Sequence, residues 1–192
     1  MRIRLLWAAA EVFARKGYAA ASVNEIVEAA GVTKPVLYYY FQNKEGIFHA
    51  IWADVSRDLQ NLLQTAQQNQ GDVKTLIIQL LASLFTLCKE NIQIVRMMYA
   101  LHYGPPQGAP EHDLEVYHKG FEDAVKAMVQ EGIESGELAA WDPLETTWAI
   151  LGIFDTAMEL MLCHPQVGFD EDRLIKLLQI LFKGVEPGSQ SK

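Results

Sequence analysis

The segment Ser22–Lys44, SVNEIVEAAGVTKPVLYYYFQNK, decides how the N-terminal end of this chain folds. Ser22 and Glu25 have the S-x-x-E spacing of a capping box, which predicts that a helix begins here. Gly31 can take the left-handed conformation that ends such a helix. Thr33 then offers a hydroxyl that can cap a second, shorter helix, and the tight turn between the two predicts a helix-turn-helix.

The short second helix of this motif carries an unusual aromatic run, Tyr38-Tyr39-Tyr40-Phe41. Successive residues on a helix point about 100° apart, so these side chains cannot all be buried. We expect Phe41 to be the buried member. The phenols of Tyr38 and Tyr40 can reach phosphates, whereas the ring of Tyr39 can lie beside a sugar or a base methyl group. Lys44 is expected to hold a phosphate together with the exposed backbone N–H groups of the next helix.

The rest of the chain is also predicted to be helical, because no segment shows sustained alternation of apolar and polar residues. The expected helices cover residues 2–16, 22–31, 33–40, 43–70, 73–90, 91–103, a stretch that ends near 135, 143–163 and 170–184. The segment GPPQGAP at 104–110 is expected to be a loop. The fold class is therefore all-α, with about nine helices. It divides into a three-helix helix-turn-helix domain over 1–47, a helical domain over 48–186 and a flexible tail over 187–192.

The charge distribution restricts where a nucleic acid can bind. A formal net charge of −8 argues at first sight against nucleic acid, because phosphate binding usually needs a basic surface. The first 47 residues, however, hold six basic and four acidic side chains, which leaves −10 on the remainder. An acidic body confines a polyanion to the N-terminal end.

The composition indicates a cytoplasmic protein without a metal site. Cys88 and Cys163 are far apart and lack the spacing of metal ligands or of a disulfide framework. No uncharged apolar stretch has the length of a membrane span. The alternative of a signal peptide, suggested by Arg2, Arg4 and the apolar residues that follow, is opposed by the charge of Glu11 and by helical spacing.

At these residues the chain resembles the TetR family of repressors, whose DNA-binding signature is a helix-turn-helix followed by Leu-Tyr-x-His/Tyr-Phe and a Lys. The matching segments are Gly17-Tyr18, Ser22-Val23, Ile26, residues 30–35, residues 37–41 and Lys44-Glu45. Ala21 and Val27 depart from the Thr and Ala that are common at their positions. The resemblance implies DNA contacts at Ser22, Thr33, Lys34, Pro35, Val36, Tyr38, Tyr39, Tyr40 and Lys44. A helix-turn-helix in a protein that never binds DNA is the alternative.

The resemblance also implies that the second domain binds an effector and forms a homodimer. Two apolar stripes near the C-terminus suit a four-helix dimer interface. The expected interface residues are Leu144, Leu151, Met158, Leu162, Leu174, Leu178 and Leu181. The core of the single protomer is the alternative use of both stripes.

Aromatic and sulfur-containing side chains in the second domain are candidates for an effector pocket, because such pockets are mainly apolar with a few polar groups. They are Cys88, Met97, Met98, Tyr99, His102, Tyr103, Phe121, Trp148 and Phe154. Each can also be an ordinary core residue.

These observations predict a transcriptional repressor that leaves double-stranded operator DNA when a small, largely apolar effector binds. A DNA-binding protein controlled by a protein partner, without a small effector, is the alternative. An enzyme that uses Asp155, Glu159 and a histidine is a third possibility, but the chain shows no nucleophile and base at a recognisable spacing. We therefore expect neither catalytic activity nor a cofactor.

Overall fold

The computed structural model describes residues 1–105, 108–111 and 114–185. Within these ranges the secondary structure is helical, apart from turns and one 3-10 turn, Pro165–Val167, and the all-α prediction is confirmed. The α-helices are α1 Arg2–Lys16, α2 Val23–Ala30, α3 Lys34–Phe41, α4 Lys44–Gln68, α5 Val73–Glu90, α6 Ile92–Tyr103, α7 Leu114–Glu134, α8 Pro143–Cys163 and α9 Glu171–Val185. The predicted tail, 187–192, lies outside the described residues.

Most helix ends carry the local signals that the sequence predicts. The capping box is present, because the Ser22 hydroxyl accepts from the Glu25 amide and the Glu25 carboxylate accepts from the Ser22 amide. Gly31 ends α2 with φ 61° and ψ 43°, in the left-handed region. Asp142 caps α8 by accepting from two backbone amides of its first turn. Thr33 is an exception, since it stands at the N-cap of α3 without a capping hydrogen bond.

The described residues group into two compact units. The first contains the described residues of Met1–Leu59 and Glu90–Leu114, and the second contains those of Gln60–Lys89 and Glu115–Lys192. The domain boundary after residue 47 stays a prediction. The first unit is larger than the predicted helix-turn-helix domain because it includes the first part of α4 and also α6, which packs along α1.

The core of the first unit holds the three N-terminal helices together. The side chains of Leu5, Phe13, Ile26, Leu37, Phe48 and Ile51 are at most 1% exposed. Phe13, Tyr18 and Phe48 form a ring cluster with centroid separations of 5.2–6.0 Å. This packing fixes the angle at which α2 and α3 are presented.

In the second unit, α8 contributes Ile150, Phe154, Ala157 and Met158 to the buried core. Leu174, Leu178 and Phe182 of α9 contribute to the same core. By length and composition α8 is apolar enough to cross a membrane. Core helices of globular proteins pass the same test when they are mostly buried, whereas 28% of the apolar window of α8 is buried in the protomer.

Candidate nucleic-acid interface

Helix α3 presents a row of exposed side chains on a buried support. Leu37 and Phe41, one helical turn apart, are 0% and 6% exposed and anchor the helix to the core. Tyr38, Tyr39 and Tyr40 are 46%, 82% and 41% exposed. The predicted burial of Phe41 is confirmed, and three phenol rings face solvent on one short helix.

The N-terminal turn of α3 is also accessible. Thr33, Lys34 and Pro35 are exposed, and Val36 is half-buried. Pro35 lies in the first turn, as predicted, where its missing N–H costs no hydrogen bond. The prediction that Thr33 caps α3 with its hydroxyl is wrong, so this hydroxyl remains available to a phosphate.

The N-terminus of α2 is capped by the carboxylate of Glu25, a residue of the same helix. The Ser22 hydroxyl donates to Glu25 Oε2 at 2.8 Å, and the Lys16 ammonium forms an ion pair with the same carboxylate. These hydrogen bonds lower the pKa of Glu25 to about 2, the one to Lys16 most strongly. The phosphate contact expected of Ser22 stays a prediction, and it requires this hydroxyl to change partners.

Lys44 is placed differently from the sequence-based expectation. Its side chain is half-buried and turns back towards the loop between α1 and α2. The ammonium donates to the carbonyl oxygens of Tyr18 at 2.7 Å and Ala21 at 2.9 Å, with that of Ala19 at 3.4 Å. It also lies 4.3 Å from the centroid of the Tyr18 ring. In this arrangement the ammonium does not point outward to a phosphate.

Two arginines near the start of α1 are also engaged within the first unit. Arg2 forms a two-pronged ion pair with Asp54 of α4, at 2.7 and 3.1 Å. Asp54 also accepts from Arg57, and these contacts, led by the hydrogen bond from Arg2, lower the pKa of Asp54. Arg4 donates to the carbonyl of Ala30 at 2.7 Å, at the C-terminal end of α2. Both arginines therefore fasten the motif rather than extend its basic surface.

The predicted effector residues divide between the two units. In the first unit Met97 is fully buried, Met98 and Tyr99 are half-buried, and His102 and Tyr103 are exposed. In the second unit Phe121 and Phe154 are buried, with ring centroids 6.5 Å apart.

Two further pocket candidates of the second unit differ in burial. Cys88 is half-buried, and burial raises the pKa of its thiol to about 12. Trp148 is 55% exposed and donates to Glu122 at 3.1 Å. Trp148, like Tyr103 of the first unit at 73% exposed, is not part of the apolar interior of its unit.

The predicted dimer stripes need revision. Met158, Leu174 and Leu178 are at most 2% exposed, so they pack in the core of their own protomer and cannot lie in a dimer contact without rearrangement. Leu144, Leu151, Leu162 and Leu181 are partly exposed. On α9 the accessible apolar side chain is Ile180, 64% exposed, one turn after the half-buried Leu177. Sequence reasoning missed Ile180 because the leucines around it define a stronger stripe.

Residues 5–51 match the family model of the bacterial regulatory proteins of the tetR family. This segment contains the capping box, the exposed face of α3 and Lys44. The N-terminal segment of this chain, residues 5–51, belongs to the TetR family. The N-terminal unit therefore contains the helix-turn-helix of a TetR-family regulator, and the resemblance noted in the sequence is confirmed.

Three individual regulators extend the comparison. The HTH-type transcriptional regulator YdgC of Bacillus subtilis is 34% identical over 105 residues, 53% of this chain and 54% of its own. The chain thus matches about half the length of that relative. The structure of PfmR from Thermus thermophilus is similar over 98% of both chains, with TM-score 0.73 and 23% identity. FadR from Bacillus subtilis, solved in complex with stearoyl-CoA, is similar over 97% of this chain and all of its own, with TM-score 0.67 and 20% identity.

Proposed function

We propose that this protein is a cytoplasmic transcriptional repressor that binds operator DNA through α3 as a homodimer and is released by a small, largely apolar effector. The observation that carries the DNA part is the exposed row on α3, held in place by the buried Leu37 and Phe41. A helix of this kind, second in a helix-turn-helix, enters the major groove with its N-terminal residues at the base edges.

The exposed side chains of α3 divide into contacts that position the protein and contacts that read sequence. Lys34 and the Thr33 hydroxyl lie at the N-terminal turn, and the phenols of Tyr38 and Tyr40 are available to phosphates. Tyr39 is the most exposed of the three tyrosines, and its ring contacts Tyr40 edge-on at 5.1 Å. We assign Tyr39 to a base methyl group or a sugar, because its ring projects furthest from the support.

Two protomers are needed because one short helix spans too few base pairs for specificity. Two-fold symmetry places the reading helices at half-sites ~34–36 Å apart or a multiple of that. We place the dimer contact on the accessible face of α8 and α9, around Leu151, Leu181 and Ile180, which are apolar and half-buried or exposed in the protomer. The buried leucines of α9, Leu174 and Leu178, anchor this helix to the core of its own protomer.

The proposed effector is a molecule with a long apolar part. Phe121 and Phe154 give the second unit an aromatic interior of the kind that surrounds apolar ligands. FadR, a fold relative, was crystallised with stearoyl-CoA, so a long-chain acyl-CoA is the first compound to test. Helix α4 contributes residues to both units, and we infer that it carries the coupling between effector and operator.

The proposal is tested by operator selection from random DNA with the full-length protein, followed by competition with stearoyl-CoA. The expected result is a near-palindromic site whose affinity falls when the acyl-CoA binds, with coenzyme A alone as the control. Linkage requires that operator weakens the ligand by the same factor, typically ~5 to 150-fold. Selection of no sequence contradicts DNA recognition. A selected site whose affinity no apolar ligand changes favours control by a protein partner.

A further inference from the structure

The helix-turn-helix is bracketed by a contact that joins its two ends. The loop of residues 17–21 leads directly into the Ser22 cap of α2, and Lys44 follows the end of α3 by three positions. We propose that Lys44 is a positioning residue, whose ammonium ties this loop to the first turn of α4 and so fixes the orientation of the helix-turn-helix on DNA. The inference rests on the proposed DNA binding.

The surroundings of the ammonium fit this role. Carbonyl oxygens of Tyr18, Ala19 and Ala21 converge on it, at 2.7, 3.4 and 2.9 Å, which matches the donor number of a lysine. Hydrogen bonds from a charged donor are shorter and stronger than those between neutral groups. The Tyr18 ring adds a cation–π contact. Tyr18 is itself fixed by Phe13 and Phe48, at 5.2 Å each.

The contact closes a long segment of chain. Lys44 is separated from Tyr18 by 26 positions and from Ala21 by 23, and all of α2 and α3 lies between them. Without the ammonium, the loop keeps the ring contact between Tyr18 and Phe48, but Ala21, next to the Ser22 cap, loses its hydrogen bond to the first turn of α4. Release of the loop should therefore let α2 and α3 sample more orientations, with the phosphate-facing groups out of register.

A phosphate-binding lysine has a different environment, which Lys34 illustrates. Lys34 is exposed, and within residues 1–105 its side chain makes no hydrogen bond or ion pair. To reach a phosphate, Lys44 has to give up its charge-assisted bonds to the two nearest carbonyls. The two lysines thus form a matched pair within the same domain, one engaged with the backbone and one available to DNA.

The experiment compares Lys44→Met and Lys44→Arg with Lys34→Met and Lys34→Arg in the full-length protein. Operator affinity is measured between roughly 50 and 200 mM salt, at a temperature where circular dichroism shows every variant to be folded. Lys44→Met is expected to bind at least ~10-fold more weakly at every salt concentration, with an unchanged log–log slope. Lys34→Met should instead lower the slope by ~1.8 per dimer, from ~0.9 for each phosphate contact.

The arginine variants separate the two roles further. A guanidinium binds phosphate well but is a planar fork, which does not match three converging carbonyls. Lys34→Arg should therefore bind nearly as the wild type does, whereas Lys44→Arg should keep most of the defect. A slope that falls for Lys44→Met as it does for Lys34→Met, together with full rescue by arginine, overturns the inference. Unchanged affinity of folded Lys44→Met does so as well.

Amide hydrogen exchange without DNA tests the contact between Lys44 and the loop independently of the proposed function. The amides of Ala21 and Ser22 are hydrogen-bonded, to the Tyr18 carbonyl and the Glu25 carboxylate. In Lys44→Met both should lose protection several-fold, while in Lys34→Met they should not change. Unchanged protection in Lys44→Met contradicts the tie itself. If the wild type selects no DNA, the proposed function fails, and the exchange data still decide whether Lys44 holds the loop.

Discussion

The assignment of the dimer contact is tested most sharply by two neighbouring side chains of α9, Ile180 and Leu178. Ile180 is 64% exposed and Leu178 is 0% exposed in the protomer. Truncation of Ile180 to alanine removes three carbon atoms, each worth about 0.8 kcal/mol when transferred from water to an apolar contact. With 64% of the residue available to a partner, the loss is about 1.5 kcal/mol per protomer and about 3 kcal/mol per symmetric dimer. The dimer dissociation constant should rise about 100-fold.

Leu178→Ala is the matched control, because the same kind of truncation falls inside the core. A fully buried leucine changed to alanine costs about 2–5 kcal/mol of unfolding free energy. Ile180→Ala should leave the unfolding free energy of the protomer within about 0.5 kcal/mol. Sedimentation velocity over a concentration series gives the dissociation constant, and urea unfolding at low concentration gives the stability of the protomer. An Ile180→Ala protein with the wild-type dissociation constant refutes the placement of the dimer contact.

Two further changes test the helix-turn-helix. Tyr39→Ala should change the binding preference for the selected base by ~1–3 kcal/mol at one position of each half-site, and Tyr39→Phe should not. Identical selection profiles for wild type and Tyr39→Ala remove this ring from base recognition. The carboxylate of Glu25 is held below its usual pKa of 4.5, at about 2, by Lys16 and Ser22. Its stabilising contribution is therefore complete above about 4.5 and is lost as the pH falls towards 2. The stability difference between wild type and Glu25→Gln should shrink over that window in urea unfolding, and a constant difference contradicts the ion pair.

The helix boundaries were predictable because their signals are local. Gly31 ends α2, Asp142 and Pro143 open α8, and the predicted first, fifth and eighth helices have the bounds of α1, α5 and α8. A cap or a proline acts within one turn of its own position, so its effect does not depend on what lies elsewhere in the fold. The exposed row of α3 was predictable for the same reason, once Leu37 and Phe41 are recognised as its buried side.

The placement of other side chains depends on tertiary contacts instead. Lys44 looks like a phosphate ligand in the sequence, and only the fold brings the carbonyls of Tyr18 and Ala21 within reach of its ammonium. Leu178 and Ile180 are two positions apart and so point about 200° apart around α9; periodicity places them on opposite faces but does not say whether a partner covers the exposed one. Whether a face of a helix is buried depends on which other elements pack against it, and those elements are distant in the sequence.

The same contacts revise the electrostatics of DNA binding. Of the six basic side chains in the first 47 residues, four are engaged within the protein, namely Arg2, Arg4, Lys16 and Lys44. The side chains of Arg15 and Lys34 are exposed and make no ion pair or hydrogen bond within residues 1–105. If Arg15 and Lys34 each contact one phosphate, a dimer neutralises about four with cations, which gives a log–log salt slope of about −3.6. Neutral donors, chiefly the tyrosine phenols of α3, must supply the remaining phosphate contacts, and these should persist at high salt. A measured slope of about −7 or steeper would show that the engaged lysines and arginines turn outward on DNA.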